Sequence, residues 1–264
     1  MTLFDVLIVA LIRGIGEILP VSAAGHLALL PALAGTPAER MATASAADAG
    51  ILAALAIYFW RDLWAMAVGL WKLAKGRPDS GSRLLIEVVV GTLPALAVSW
   101  AVRRVGADLG GPATAAAASL VFGVFMLVAD NLGMTVRRLE HMSLLGAFAI
   151  GLLQGAALIP GVSRVGITVT AARLMGYERT EAARFSLLLG MPLLAVSASS
   201  VVSDLWLNQG LMPSANFAGA GTAMVAALIA TAAMLAWLRR GTYLPFALWR
   251  IVFGLAAIGW LAAG

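Results

Sequence analysis

Two short stretches concentrate the residues able to do chemistry in an otherwise apolar sequence. In the first, LIRGIGEILPVSAAGH (residues 11–26) carries Arg13, Glu17, Ser22 and His26. Histidine exchanges protons near neutral pH, and a carboxylate close to it can orient the imidazole or share a divalent cation. A serine hydroxyl can hydrogen-bond a phosphate or serve as a nucleophile. Arg13 and Glu17 stand one helical turn apart, a spacing at which they can neutralise each other. In the second stretch, LLQGAALIPGVSRVG (152–166) carries Ser163, Arg164 and Gly166, with Thr168 just beyond. Free backbone N–H groups at a helix break and the fork of a guanidinium suit a phosphate, so this stretch reads as an anion site. Set opposite Arg164, the Glu17, Ser22 and His26 group reads as the other half of a phosphoryl-transfer site.

The elements that must position these side chains are membrane elements. The 264 residues are 61% hydrophobic and 12% charged, about half the roughly 25% charge of a soluble chain. The mean hydropathy of +0.94 agrees. Disordered, collagen-like, coiled-coil and disulfide-scaffold classes are excluded, and the absence of cysteine removes thiol catalysis and Cys-ligated zinc. Six apolar segments, at about 41–60, 84–102, 113–130, 181–202, 216–238 and 243–263, are long enough to cross about 30 Å of hydrocarbon. The stretches at about 1–30 and 142–172 are interrupted by Gly, Pro and polar residues, Gln154 among them. Irregular backbone at membrane depth is tolerated only where protein or a wet cavity satisfies it, so both read as re-entrant helical hairpins lining one cavity.

The two polar stretches look like weak copies of one unit, each followed by three spans, so the second copy must run upside down relative to the first. The fold expected is an all-α integral membrane protein, with six transmembrane helices plus two re-entrant helical hairpins arranged as an inverted repeat. A single membrane domain, 1–264, would hold repeat one at about 1–130 and repeat two at about 142–264.

The net charge of +5 would point to nucleic acid in a soluble protein. Here Lys and Arg set topology, and no nucleic-acid partner is expected. One set of loops holds eleven of them (Arg61, Lys72, Lys75, Arg77, Arg83, Arg137, Arg138, Arg173, Arg179, Arg239 and Arg240), and the opposite set holds Arg40, Arg103 and Arg104. The richer face is expected in the cytoplasm, with both termini outside. The start, MTLFDVLIVALIRG, lacks the basic leader of a cleaved signal and is expected to be mature protein. Arg13, Glu17, His26 and Arg164 then remain as intramembrane ionisable residues, which are presumed to face inward and to be functional.

The segments GEILPVSAAGHLALLP (16–31) and PGVSRVGITVTAARLMGY (160–177) resemble the two signature motifs of the bacterial undecaprenyl-pyrophosphate phosphatase family, the bacitracin-resistance proteins. Weaker echoes at ILAALAIYFWRDL (51–63), AARFSLLLGMP (182–192) and YLPFALWRIVFG (243–254) extend the resemblance over nearly the whole chain. It implies a multi-pass inner-membrane enzyme, open towards the periplasm, that removes the terminal phosphate of undecaprenyl pyrophosphate and so recycles the lipid carrier for peptidoglycan synthesis. It also implies Mg2+ or Ca2+ as cofactor. The family's motif residues fall on Glu17, Ser22, His26, Ser163 and Arg164.

On that resemblance the expected catalytic set is Glu17, Ser22, His26 and Arg164, with His26 as general base or nucleophile and Glu17 as metal ligand. Substrate binding is expected from Ser163, Arg164, Gly166, Thr168 and Arg13. The expected partners are a polyprenyl pyrophosphate lipid and membrane lipids, with a homodimer left open. Three positions depart from the family pattern. Arg13 replaces a second glutamate, while Ala23 and Val165 replace serines. Arg13 would repel a cation and attract a pyrophosphate, which puts metal use in question, and Asp48 could pair with it. A non-hydrolytic polyprenyl-phosphate transporter or flippase on the same fold is the alternative reading.

Overall fold

A computed structural model describes residues 1–30, 35–207 and 214–263. Pro31, the last residue of the first motif segment, lies outside the described residues. The elements are helices: α1 Leu3–Gly16, α2 Ala23–Leu29, α3 Pro37–Tyr58, α4 Trp60–Ala74, α5 Ser80–Val105, α6 Pro112–Leu132, α7 Leu144–Gln154, α8 Arg164–Leu174, α9 Arg179–Leu207, α10 Ser214–Leu238 and α11 Leu244–Ala263.

Six of them (α3, α5, α6, α10, α11 and α9 over Arg179–Ser199) are long and apolar enough to cross a bilayer, so this is a multi-pass membrane protein. They coincide with the six apolar segments to within several residues. Their starts are chemically marked. Thr36 and Glu39 form a capping box ahead of Pro37 in α3, and Asp79 with Ser82 does the same for α5. The Asp79 carboxyl, bonded by Lys72 Nζ at 2.7 Å and by the Ser82 N–H, is held down to about 2. Outward-facing Val121, Phe125, Leu132, Leu255 and Trp260 give these helices the apolar surface that hydrocarbon requires.

Residues 61–83 are expected as a loop, and most of that stretch is α4 instead. Met66 and Gly69 are buried, with Gly69 against Gly81 and Ser82, whereas Trp60, Trp64 and Trp71 are exposed. Charged residues at both ends hide this amphipathic stripe from a hydropathy window. Its length of 15 residues gives about 22 Å, too short to span.

Backbones approach closely where side chains are small, as lipid-embedded helices require. α1 packs on α10 through Gly14 against Ala223 and Ala226, and α7 packs on α5 through Gly151 against Gly91. α3 packs on α9 and α10, and α6 on α11. Beyond the C-terminal end of α8, Asp130 of α6 accepts Arg173 Nε at 2.9 Å, Arg179 Nε at 2.7 Å and the Tyr243 N–H at 2.9 Å. Arg173 and Arg179 are expected as loop cations. Arg173 is instead 1% exposed, and through Asp130 α6 is tied to α8, to α9 and to the residue that precedes α11.

Candidate active site

α1 and α2 form one helical hairpin, and α7 and α8 form another. The Glu17 N–H closes α1 on the Arg13 carbonyl at 2.9 Å, and the chain turns through Pro20 before Ser22 caps α2, its Oγ accepting the Gly25 N–H at 3.2 Å. The second hairpin repeats this chemistry. α7 runs into a tight 3-10 turn at Gly155–Leu158, the chain turns through Pro160 and Gly161, and Ser163 caps α8 by accepting the Gly166 N–H at 3.1 Å. Ser22 (φ 71°) and Ser163 (φ 64°) are the only non-glycine residues with positive φ among the described residues. Such backbone costs on the order of 1–3 kcal/mol each and persists where the surroundings impose it. The hairpin tips touch, since a Cβ on Gly25 would stand 3.1 Å from the Gly161 Cα.

Between the tips lies a cavity of about 380 Å3, lined by Glu17, Ser22, Gln154, Ser163, Arg164 and Ser197 and, from the C-terminal end of α5, by Trp100 and Arg103. Arg164 crosses from the second hairpin to the first. Its Nε lies 3.5 Å from Glu17 Oε2, and its Nη2 donates to the Glu17 carbonyl at 3.3 Å. Gly190 of α9 lies against the guanidinium, where any side chain would displace it. Arg164 Nη1 is buried and has no partner among the described residues. A buried guanidinium at a cavity wall with a donor left unpaired is suited to an anion.

Residues 6–256 match the family model described as bacitracin resistance protein BacA. The chain belongs to that family. It is 53% identical, over 98% of its length and 97% of the relative's, to undecaprenyl-diphosphatase 1 of Paramagnetospirillum magneticum. It is 45% identical, over 98% and 95%, to undecaprenyl-diphosphatase 1 of Rhodospirillum rubrum, and 37% identical, over 97% of both, to the undecaprenyl-diphosphatase of Roseobacter denitrificans.

Of the expected site residues in this BacA-family chain, Glu17, Ser22, Ser163 and Arg164 come together and the rest do not line the cavity. His26 is expected to face Arg164 and lies elsewhere. Its Nε2 accepts the Trp249 N–H at 3.1 Å, and its Nδ1 is 2.8 Å from the Ser22 carbonyl. Because Trp only donates and a carbonyl only accepts, the ring is neutral with its proton on Nδ1. It stacks on Phe253 at 4.0 Å in a separate apolar pocket. Arg13 is expected to bind substrate but gives its guanidinium to Asp48, with Nε at 3.1 Å from Oδ1. The Ser197 hydroxyl donates to Asp48 Oδ2 at 2.5 Å, so the pair touches the cavity only through that serine. Thr168 Oγ1 donates to the Arg164 carbonyl at 2.9 Å within α8, and Gly166 faces Arg250.

Glu17 is the one carboxylate lining the cavity, and no group of three or more His, Cys, Asp or Glu side chains that could hold a metal occurs among the described residues. A divalent cation fits such a donor set only when the substrate's own phosphate oxygens complete its shell. Sequence reasoning passes over two buried residues. Gln154 appears there only as an interruption of an apolar stretch. Arg250, within the echo at 243–254, is fully buried and donates from Nη2 to the Gly161 and Val162 carbonyls at 2.8 and 2.9 Å. Its type inside an apolar span is the signal that marks it.

Proposed function

We propose that this chain hydrolyses undecaprenyl diphosphate to undecaprenyl phosphate and inorganic phosphate in the cavity between its hairpins. One observation carries the reading: Arg164, whose buried Nη1 has no partner among the described residues, lines a cavity together with Glu17, Ser22 and Ser163. The names of the relatives supply the substrate.

Arg164 Nη1 and the first-turn N–H groups of α8 hold the terminal phosphate, and the Ser22 and Ser163 hydroxyls donate to its oxygens. Ser22 and Ser163 keep that capacity because their caps use Oγ only as acceptor. Glu17 takes a proton from a water that attacks the terminal phosphorus. The bond from that phosphorus to the bridging oxygen breaks, undecaprenyl phosphate leaves with the electron pair, and the proton on Glu17 passes to the released phosphate. Arg164 acts where charge develops on the transferring group, a contribution of about 3 kcal/mol for one preorganised donor. Magnesium or calcium, held by Glu17 and the substrate's phosphate oxygens, would supply Lewis-acid neutralisation of the diphosphate.

His26 is a positioning residue in this scheme. It holds the carbonyl of Ser22, the strained cap, and so keeps Oγ at the cavity. The isoprenoid tail lies in the apolar groove of Leu11, Ile15, Leu19 and Phe246, about 430 Å3, which shares Gly16 with the head-group cavity. The hairpins enter from opposite leaflets as an inverted repeat. The pairing of α1 with α10 and of α7 with α5 supports this, because exchanging the two halves exchanges these contacts. The cavity opens to the periplasm. Trp100 and Arg103 line it on the cation-poor face, which supports that orientation.

Purified protein in detergent, given undecaprenyl diphosphate with magnesium or calcium, is expected to release phosphate. No release with either cation, alongside movement of the lipid across vesicles, would favour a transporter instead.

A further inference from the structure

Gln154 ends α7 and lines the head-group cavity, yet neither end of its carboxamide has a partner. Its exposure is 2%, and both Nε2 and Oε1 are buried without a hydrogen-bonding atom among the described residues. Packing does not account for it. The neighbouring cavity wall is Ala95, Ala157 and Leu158, against which an apolar side chain of the same length would serve without desolvating an amide. The backbone beside it packs closely, because Gly155, the next residue, lies against Val98 of α5, where a Cβ would come 2.9 Å from Cγ1. Arg13, at the corresponding place in the first copy, is engaged by Asp48. The two copies have therefore diverged, one towards an internal ion pair and one towards an open amide. Gln154 and Arg164 thus line one cavity, and each carries a buried donor, Nε2 and Nη1, that lacks an acceptor among the described residues.

We infer that Gln154 is a substrate-binding residue whose Nε2 donates to an oxygen of the diphosphate, alongside Arg164. This rests on the diphosphatase reading. The amide adds a donor without adding charge, so the head group is gripped by a cation on one side and a neutral fork on the other.

The test uses the full chain in detergent with inorganic pyrophosphate as probe. Gln154→Met keeps length and removes the amide. Its melting temperature without pyrophosphate is expected at or above that of the parent protein. Its pyrophosphate affinity is expected to fall roughly tenfold or more, and KM for undecaprenyl diphosphate to rise by a similar factor, the loss of one hydrogen bond to a charged acceptor. Gln154→Glu, which sets an anion against the phosphate, is expected to lose more affinity than Gln154→Met, and it serves alone if the methionine variant does not fold. Unchanged affinity and KM in these variants, with an active parent, would overturn the inference. A parent that neither binds pyrophosphate nor hydrolyses the lipid would overturn the diphosphatase reading itself.

Discussion

Glu17 and Arg164, 147 positions apart in sequence, meet across the two hairpin tips, with the Arg164 guanidinium 3.5 Å from the Glu17 carboxylate and 3.3 Å from its carbonyl. The contact is loose enough for an anion to compete for the guanidinium while the carbonyl keeps it in place. Arg164→Ala is expected to lower kcat for phosphate release by about 100-fold or more, as for loss of one preorganised donor. Arg164→Lys should recover little, because an ammonium cannot reach Glu17 and phosphate together. Lysine retaining more than half the activity would show that only charge is required.

Arg13 and Asp48 form an ion pair in the helix core, with side-chain exposures of 16% and 4%. Asp48→Asn leaves a guanidinium unpaired and is expected to destabilise the protein by about 3 kcal/mol. Arg13→Glu alone sets two carboxylates together and should be at least as harmful. Arg13→Leu combined with Asp48→Leu should restore much of the loss, with phosphate release kept. Thermal unfolding of the three variants checks this, and a double variant no more stable than Asp48→Asn would contradict it.

If His26 positions Ser22, then His26→Gln and Trp249→Phe should each lower kcat several-fold without moving the pKa values of the pH–rate profile. A general base at His26 would instead cost the profile its limb near neutrality. That outcome, with Trp249→Phe silent, would return His26 to the reaction itself.

Ser22 and His26 show how far the sequence could be read. Both are expected in the same half of a phosphoryl-transfer site. Ser22, however, is a cap with φ 71°, so its hydroxyl turns to the cavity while its carbonyl stays under the imidazole. No periodicity rule sees that turn. The spans were legible because six apolar blocks have no other use, and the breaks between α1 and α2 and between α7 and α8 were legible because Gly, Pro and polar residues at membrane depth need a protein-lined cavity. The Arg13–Asp48 pair was legible as two charges in need of each other. α4 was hidden by its charged ends, and Gln154 by its neutrality, since only coordinates reveal that its amide is unpaired.

With Glu17 the one carboxylate lining the cavity among the described residues, magnesium should bind weakly to the protein alone and much more tightly with a diphosphate present. Calorimetry of magnesium with and without methylenediphosphonate checks this. Equal affinity in the two titrations would mean that protein groups complete the shell.

The most direct measurement is an experimental structure with methylenediphosphonate bound. Its phosphorus atoms are expected between the hairpin tips, with oxygens in hydrogen-bond reach of Arg164 Nη1, Ser22 and Ser163. A diphosphonate held elsewhere, with lipid chains filling the space between Glu17, Ser22 and Arg164, would contradict hydrolysis at this site.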